Sequence, residues 1–92
     1  MRVQEQLPVS PARALAPRYR VILHNDDANT MDHVVNTLRR VVPRLDDMAA
    51  QAIMYEAHRS GVALVVVCPF EPAEFYRNGL RSAGLGATLE QA

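Results

Sequence analysis

The sequence predicts a small α+β sandwich, in which three helices cover one face of a three-stranded, mostly antiparallel sheet. Segments with strand composition lie near the beginning, middle and end of the folded region, at 19–24, 62–68 and 85–90. The stretches between them carry apolar residues at helical spacing, which gives the order β-α-α-β-α-β. Because each strand needs one buried face, three helices on one side of the sheet complete a single core.

Composition and charge limit what kind of protein the chain can be. Its 92 residues are enough for one domain, and 49% hydrophobic with 22% charged residues is a globular composition. The 10 basic and 10 acidic side chains balance, so no overall charge attracts the chain to nucleic acid or an anionic membrane. Cys68 is the single cysteine, which excludes an internal disulfide and favours a reducing compartment. Since residues 1–17 lack a signal-peptide core, we expect a cytoplasmic protein.

The chain is predicted to divide into a flexible N-terminal extension at 1–17 and a folded domain at 18–92. Pro8, Pro11 and Pro17 interrupt the first segment, which has no sustained apolar period. The domain begins with the strand at 19–24.

A first helix is predicted after the polar cluster at 25–30. Asn29 or Thr30 is the expected N-cap, and Pro43 ends the helix. Its apolar positions are Met31, Val34, Val35, Leu38, Val41 and Val42.

A second helix is predicted to begin at Asp46 or Asp47 and to end before Gly61. Its expected inward stripe is Ala49, Ala52, Ile53 and Ala57. The run at 62–68 is apolar throughout and rich in β-branched residues, which predicts the central strand of the sheet with Cys68 buried and inert.

A third helix is predicted to open at Glu71-Pro72, since proline is well tolerated in a first helical turn, and to end at Gly84. Its expected inward residues are Phe75, Tyr76, Leu80 and Ala83. A last short strand at 85–90 completes the sheet.

The polar residues do not form the signature of a catalytic or metal site. The sequence has no His-x-x-x-His or Glu-x-x-His pair, no Gly-rich phosphate loop and no nucleophile elbow. We therefore predict that the chain is not an enzyme and has no cofactor and no metal ligands. His33 is expected to point to solvent without a role.

The Asn-Asp-Asp tripeptide at 25–27 has two interpretations. It is either a capping turn between strand and helix or a cation site, whose oxygens accept hydrogen bonds from an ammonium group. His58 is either a solvated or core-edge histidine or a further acceptor at that site. Met31 and Met54 are either ordinary core residues or the walls of a pocket.

Helical geometry favours a pocket. Met54, Ala57 and His58 share one face of the second helix, and Met31 shares a face of the first helix with Val34. If these faces meet behind the tripeptide, they form an apolar pocket with a polar rim, a shape that binds a side chain attached to a charged head.

From about residue 18 to the end, the chain resembles the ClpS family, adaptors that deliver N-degron substrates to Clp AAA+ chaperone–protease complexes. The segment at 19–27 is similar to the family's opening strand and its Asn-Asp-Asp signature. Further matches are Met31 with Val34-Val35, Met54 with His58 and Gly61, and the closing Ala87-Thr88-Leu89-Glu90-Gln91-Ala92.

The resemblance implies the same α/β sandwich and a role for each matching residue. Asn25 and His58 would hydrogen-bond the α-amino group of the substrate directly, Asp27 would do so through water, and Asn29 would contact the peptide backbone. The pocket for the first side chain would be lined by Leu23, Asp26, Met31, Val34, Met54, Ala57 and Leu85.

The resemblance also implies a partner, the N-terminal domain of a Clp AAA+ chaperone of the ClpA or ClpC type, docked through Glu71 and Tyr76. Asn29 replaces a threonine of the family, Ala57 a valine and Tyr76 a lysine, which indicates a divergent branch such as a cyanobacterial one. A docking domain similar to the C-terminal domain of the ribosomal stalk protein, without degron binding, is the alternative function.

Overall fold

The computed structural model describes residues 16–92, which fold into three strands and three helices in the predicted order. The predicted extension at 1–17 lies outside the described residues except for its last two. The elements are β1 (Arg18–His24), α1 (Met31–Val41), α2 (Asp47–Ser60), β2 (Val62–Pro69), α3 (Phe70–Ser82) and β3 (Gly86–Gln91).

The sheet is antiparallel, and β1 is its central strand, with β2 and β3 on either side. The prediction that 62–68 is the central strand is therefore wrong. Helices cover only one sheet face, so Val62 and Leu64 of β2 remain 46% and 49% exposed on the edge strand. The continuous apolar run suggested burial on both faces of the strand. In the structure, a register shift opposite Val21/Ile22 places two consecutive residues, Val65 and Val66, in the core, although only one face of the strand is buried.

The starts of α1 and α2 follow local capping chemistry. Thr30, rather than Asn29, caps α1, and its hydroxyl accepts a hydrogen bond from the amide of His33 at 3.1 Å. Asp46 caps α2 in the same way, accepting from the amide of Ala49 at 2.8 Å. Gly61 ends α2 with φ +88°, a conformation that glycine adopts without a Cβ clash.

Two of the predicted helix faces are wrong in detail. The buried residues of α2 are Ala50, Met54 and Ala57, whereas Ala52 is exposed. Along α3 the buried residues are Ala73 and Leu80. Phe75 is 70% exposed instead of inward-facing, since the buried side of α3 is set by its packing on β1, β2 and β3. Tyr76 packs against the core, half-buried, as expected.

Candidate functional site

An open cavity of about 220 Å³ lies where β1 ends and the following loop meets α1, α2 and the segment before β3. The residues predicted for the α-amine, for the side-chain pocket and for the peptide backbone all line it. The lining consists of Leu23, His24, Asn25, Asp26, Asp27, Asn29, Met31, Val34, Met54, Ala57, His58 and Leu85. The two residues predicted to dock a chaperone, Glu71 and Tyr76, lie on α3 outside the cavity.

The walls of the cavity are apolar and rigidly packed. Leu23 from β1, Met54 and Ala57 from α2, and Leu85 from the segment before β3 belong to the buried core. Met31 lies at the start of α1 and keeps 44% of its surface exposed. The faces of α1 and α2 therefore meet beside the polar loop, and the apolar wall they form continues directly into the core.

The polar rim is presented to solvent. Asn25, Asp27 and His58 are exposed. The backbone amide of Asn25 donates to the carbonyl of Gly61 at 2.9 Å, which fixes the loop against the end of α2. Because His58 lies in the last turn of α2, this bond connects the loop that carries Asn25 to the helix end that carries His58.

Asp26 organises the loop from within. Its Oδ1 accepts hydrogen bonds from the amides of Ala28 and Asn29, both at 2.9 Å. The side-chain amide of Asn29 donates to Oδ1 and Oδ2 at 3.1 and 3.0 Å. The side-chain hydrogen bond from Asn29, followed by the two backbone amides and the nearby His33, lowers the pKa of Asp26 against a smaller opposing effect of burial. The turn interpretation of the tripeptide thus applies to Asp26, which also lines the cavity.

Two histidines have contacts that the sequence did not predict. His33 does not simply point to solvent, because its Nε2 lies 2.8 Å from the carbonyl oxygen of Ala83, across the gap between α1 and the end of α3. His24 lines the cavity, and its Nε2 lies 2.7 Å from the hydroxyl of Thr88 on β3. In the sequence, only the position of His24 next to Asn25 indicated that His24 could belong to the site. Both contacts join residues distant in sequence, which periodicity does not encode.

Within 16–92, no group of three or more His, Cys, Asp and Glu side chains is placed to hold a metal ion. Cys68 is buried, as predicted, and burial raises the pKa of its thiol, which disfavours the reactive thiolate. No helix in this part of the chain is long and apolar enough to cross a membrane.

The family model described as ATP-dependent Clp protease adaptor protein ClpS matches residues 14–88. A ClpS adapter from Synechococcus sp. (strain CC9902) is 54% identical over 78 residues, covering 85% of this chain and 75% of the relative. The ClpS adapter of Synechococcus elongatus is 53% identical over 78 residues, covering 85% of this chain and 82% of the relative. These cyanobacterial relatives agree with the branch inferred from the departures in sequence.

A solved structure has the same fold. ClpS2 from Agrobacterium tumefaciens, in a structure with bound L-phenylalaninamide, superposes with a TM-score of 0.75 at 32% identity. The match covers 84% of this chain and 99% of that protein.

Proposed function

The chain belongs to the ClpS family of Clp protease adaptor proteins, which are adaptors and not enzymes, and we propose that it selects its substrates by their N-termini. The feature recognised is a free α-amine next to a large hydrophobic first side chain. The bound protein is then delivered to a Clp AAA+ unfoldase and its protease.

The observation that carries this proposal is the cavity, whose apolar walls open onto a rim of hydrogen-bond acceptors. Its volume of about 220 Å³ is below the ~300–1,000 Å³ of pockets that enclose drug-sized ligands, and it suits one side chain with its attached amine. Full burial of a leucine or phenylalanine side chain contributes ~1.5–3 kcal/mol.

The rim supplies the acceptors that an ammonium group needs. The side-chain oxygen of Asn25 and a ring nitrogen of neutral His58 would accept directly from the α-amine, and Asp27 would accept through a water molecule. Each hydrogen bond to a charged group contributes ~1.5–3 kcal/mol, so two or three of them discriminate strongly against a blocked amine.

The ligand of the Agrobacterium relative supports this assignment. L-phenylalaninamide combines a free α-amine with an aromatic side chain, which are the two features that the rim and the walls of the cavity would recognise. Leu23, Met54, Ala57 and Leu85 would contact the aromatic ring.

We further propose that α3 docks on the N-terminal domain of a ClpA- or ClpC-type chaperone. Glu71 in its first turn is exposed, and Tyr76 lies five residues, or about 1.4 turns, further along. Phe75, 70% exposed, packs edge-on against Tyr76 with ring centroids 6.0 Å apart and enlarges this surface. An exposed aromatic next to a half-buried one forms a small apolar contact area of the kind enriched at interfaces.

A panel of short peptides that differ only in their first residue tests the substrate assignment. Peptides beginning with Leu, Phe, Tyr or Trp are expected to bind at least ~10-fold more tightly than those beginning with Asp or Gly, because only the former fill the apolar walls. Affinities that do not depend on the first residue would instead favour a docking domain without degron binding.

A further inference from the structure

We propose that Asn29 and His33 are positioning residues, which together clamp the turn at Ala83 and Gly84 and thereby fix Leu85 as one wall of the cavity. The consequence for selectivity rests on the proposed function, whereas the clamp itself does not. Asn29 thus has a role different from the predicted contact with the peptide backbone.

The two hydrogens of the Asn29 side-chain amide are both occupied within the protein. Its Nδ2 lies 3.1 and 3.0 Å from the carboxylate oxygens of Asp26 and 3.0 Å from the carbonyl oxygen of Gly84. All three neighbours only accept hydrogen bonds, so the amide must present its nitrogen to them. Since Asp26 is itself fixed by the amides of Ala28 and Asn29, the bond to Gly84 connects an ordered loop to the turn.

His33, in the first turn of α1, contacts the carbonyl of Ala83, the residue before Gly84. Its Nε2 is 2.8 Å from the oxygen of Ala83, which can only accept, so the ring carries a proton on Nε2 and donates it. Two successive carbonyls of one turn are therefore held by two side chains from the region of α1.

The clamped turn determines where Leu85 lies. Gly84 has φ +88°, and its amide donates to Arg81 at 2.9 Å, while the amide of Leu85 donates to Leu80 at 3.1 Å. These bonds reverse the chain at the end of α3 and send Leu85, 4% exposed, into the cavity wall. The backbone bonds fix the turn relative to α3 alone, and the side chains of Asn29 and His33 fix it relative to the opposite side of the cavity.

Hydrogen exchange tests the clamp without any peptide. Asn29→Leu keeps a similar side-chain size and removes both donors without placing a second carboxylate beside Asp26, and His33→Leu removes the donor while retaining bulk. Either change is expected to speed exchange of the Gly84 and Leu85 amides by ~3- to 10-fold relative to the β1 amides. His33→Gln, which can still donate, should restore slow exchange, and Asn36→Leu on the exposed face of α1 is the matched control.

Unchanged exchange at Gly84 and Leu85 in both variants would overturn the clamp. Equal acceleration across β1 would also overturn it, because the side chains would then stabilise the whole domain and not the turn.

The second measurement addresses selectivity. A loosened Leu85 wall loses contact with a small side chain but can still adjust to a larger ring. The affinity ratio of Leu- to Phe-initiated peptides should therefore fall by ~3-fold or more in Asn29→Leu and His33→Leu. This ratio should not change in Asn36→Leu. Faster exchange with an unchanged ratio would refute the role in selectivity. If the wild type binds neither peptide, the proposed function fails, and the exchange data still decide whether the clamp exists.

Discussion

Met31 lies at the mouth of the cavity, at the first position of α1. A peptide whose first residue is β-branched carries a second heavy group on its Cβ, and we expect that group to collide with Met31. Leucine and phenylalanine branch one atom further out and avoid the collision. Selection among apolar residues would therefore come from a clash, since their buried areas are similar.

Met31→Ala is expected to raise the affinity for peptides beginning with Ile or Val by ~10-fold, because it relieves an overpacked contact. Affinity for a Leu peptide should change by less than ~3-fold. Fluorescence titration of Leu, Phe, Ile and Val peptides measures this, with Met48→Ala as control, since Met48 is 81% exposed and lies outside the cavity. Wild-type protein that binds Ile as tightly as Leu would disprove the clash.

The hydrogen bonds that lower the pKa of Asp26 make the loop sensitive to acid. A carboxyl whose folded pKa lies below its unfolded value of ~3.9 contributes stability above that pH and loses it as the pH falls through the folded value. Asp26→Asn should therefore lower the free energy of unfolding at neutral pH, and the difference from wild type should vanish in acid.

Urea unfolding from neutral pH to below ~4 measures this difference. Asp27→Asn is the matched control, because the adjacent carboxylate accepts no hydrogen bond among residues 16–92. A difference between wild type and Asp26→Asn that is the same at every pH would show that the ionised carboxylate does not stabilise the loop.

At the scale of elements, local signals predicted where α1 and α2 begin and end, but not which strand lies at the centre. Thr30 and Asp46 act through atoms a few residues away, so capping chemistry located both helix starts. β2 lies at the edge because β3 pairs with β1 and not with β2, and this pairing joins segments that are far apart in the sequence. The exposed face of Phe75 likewise depends on the direction from which the sheet approaches α3.

Gly61 connects an element boundary to the site. With φ +88° it ends α2, and its carbonyl accepts the amide of Asn25. An added Cβ meets no neighbouring atom within 4 Å, so the cost of Gly61→Ala is the backbone strain alone. We expect a loss of about 1–2 kcal/mol in the free energy of unfolding.

Urea denaturation of Gly61→Ala and Gly61→Asn separates strain from other effects. Asparagine tolerates the left-handed region better than alanine and should cost less. If alanine were as stable as glycine, or asparagine less stable than alanine, the conformation of Gly61 would not be the reason for its presence.

For the whole molecule, the sequence predicted the order of elements and the set of residues around the cavity, chiefly through the family resemblance. It did not predict the polar contacts that assemble this set. The bonds from Asn29 to Gly84 and from His33 to Ala83 span 55 and 50 residues. Such pairs form only where the end of α3 lies close to the start of α1. Neither composition nor periodicity specifies the distance between these two helix ends.

The predicted N-terminal extension is the subject of a further prediction. Among residues 16–92, those that line the cavity lie between Leu23 and Leu85, and we predict that deleting residues 2–15 leaves peptide affinity unchanged. We propose that the extension engages the unfoldase, in which case the deletion should slow degradation of a Phe-initiated substrate by a Clp protease. Degradation at the full rate by the truncated protein would show that the segment is dispensable.

The decisive comparison for N-terminal recognition uses one peptide that begins with phenylalanine, with its α-amine either free or acetylated. Acetylation removes the charge and the donors that Asn25, Asp27 and His58 would bind, while the side chain stays the same. We predict that the acetylated peptide binds ~10-fold or more weakly, and that Asn25→Ala reduces this difference. Equal affinity of the two peptides for the wild-type protein would contradict recognition of the α-amine.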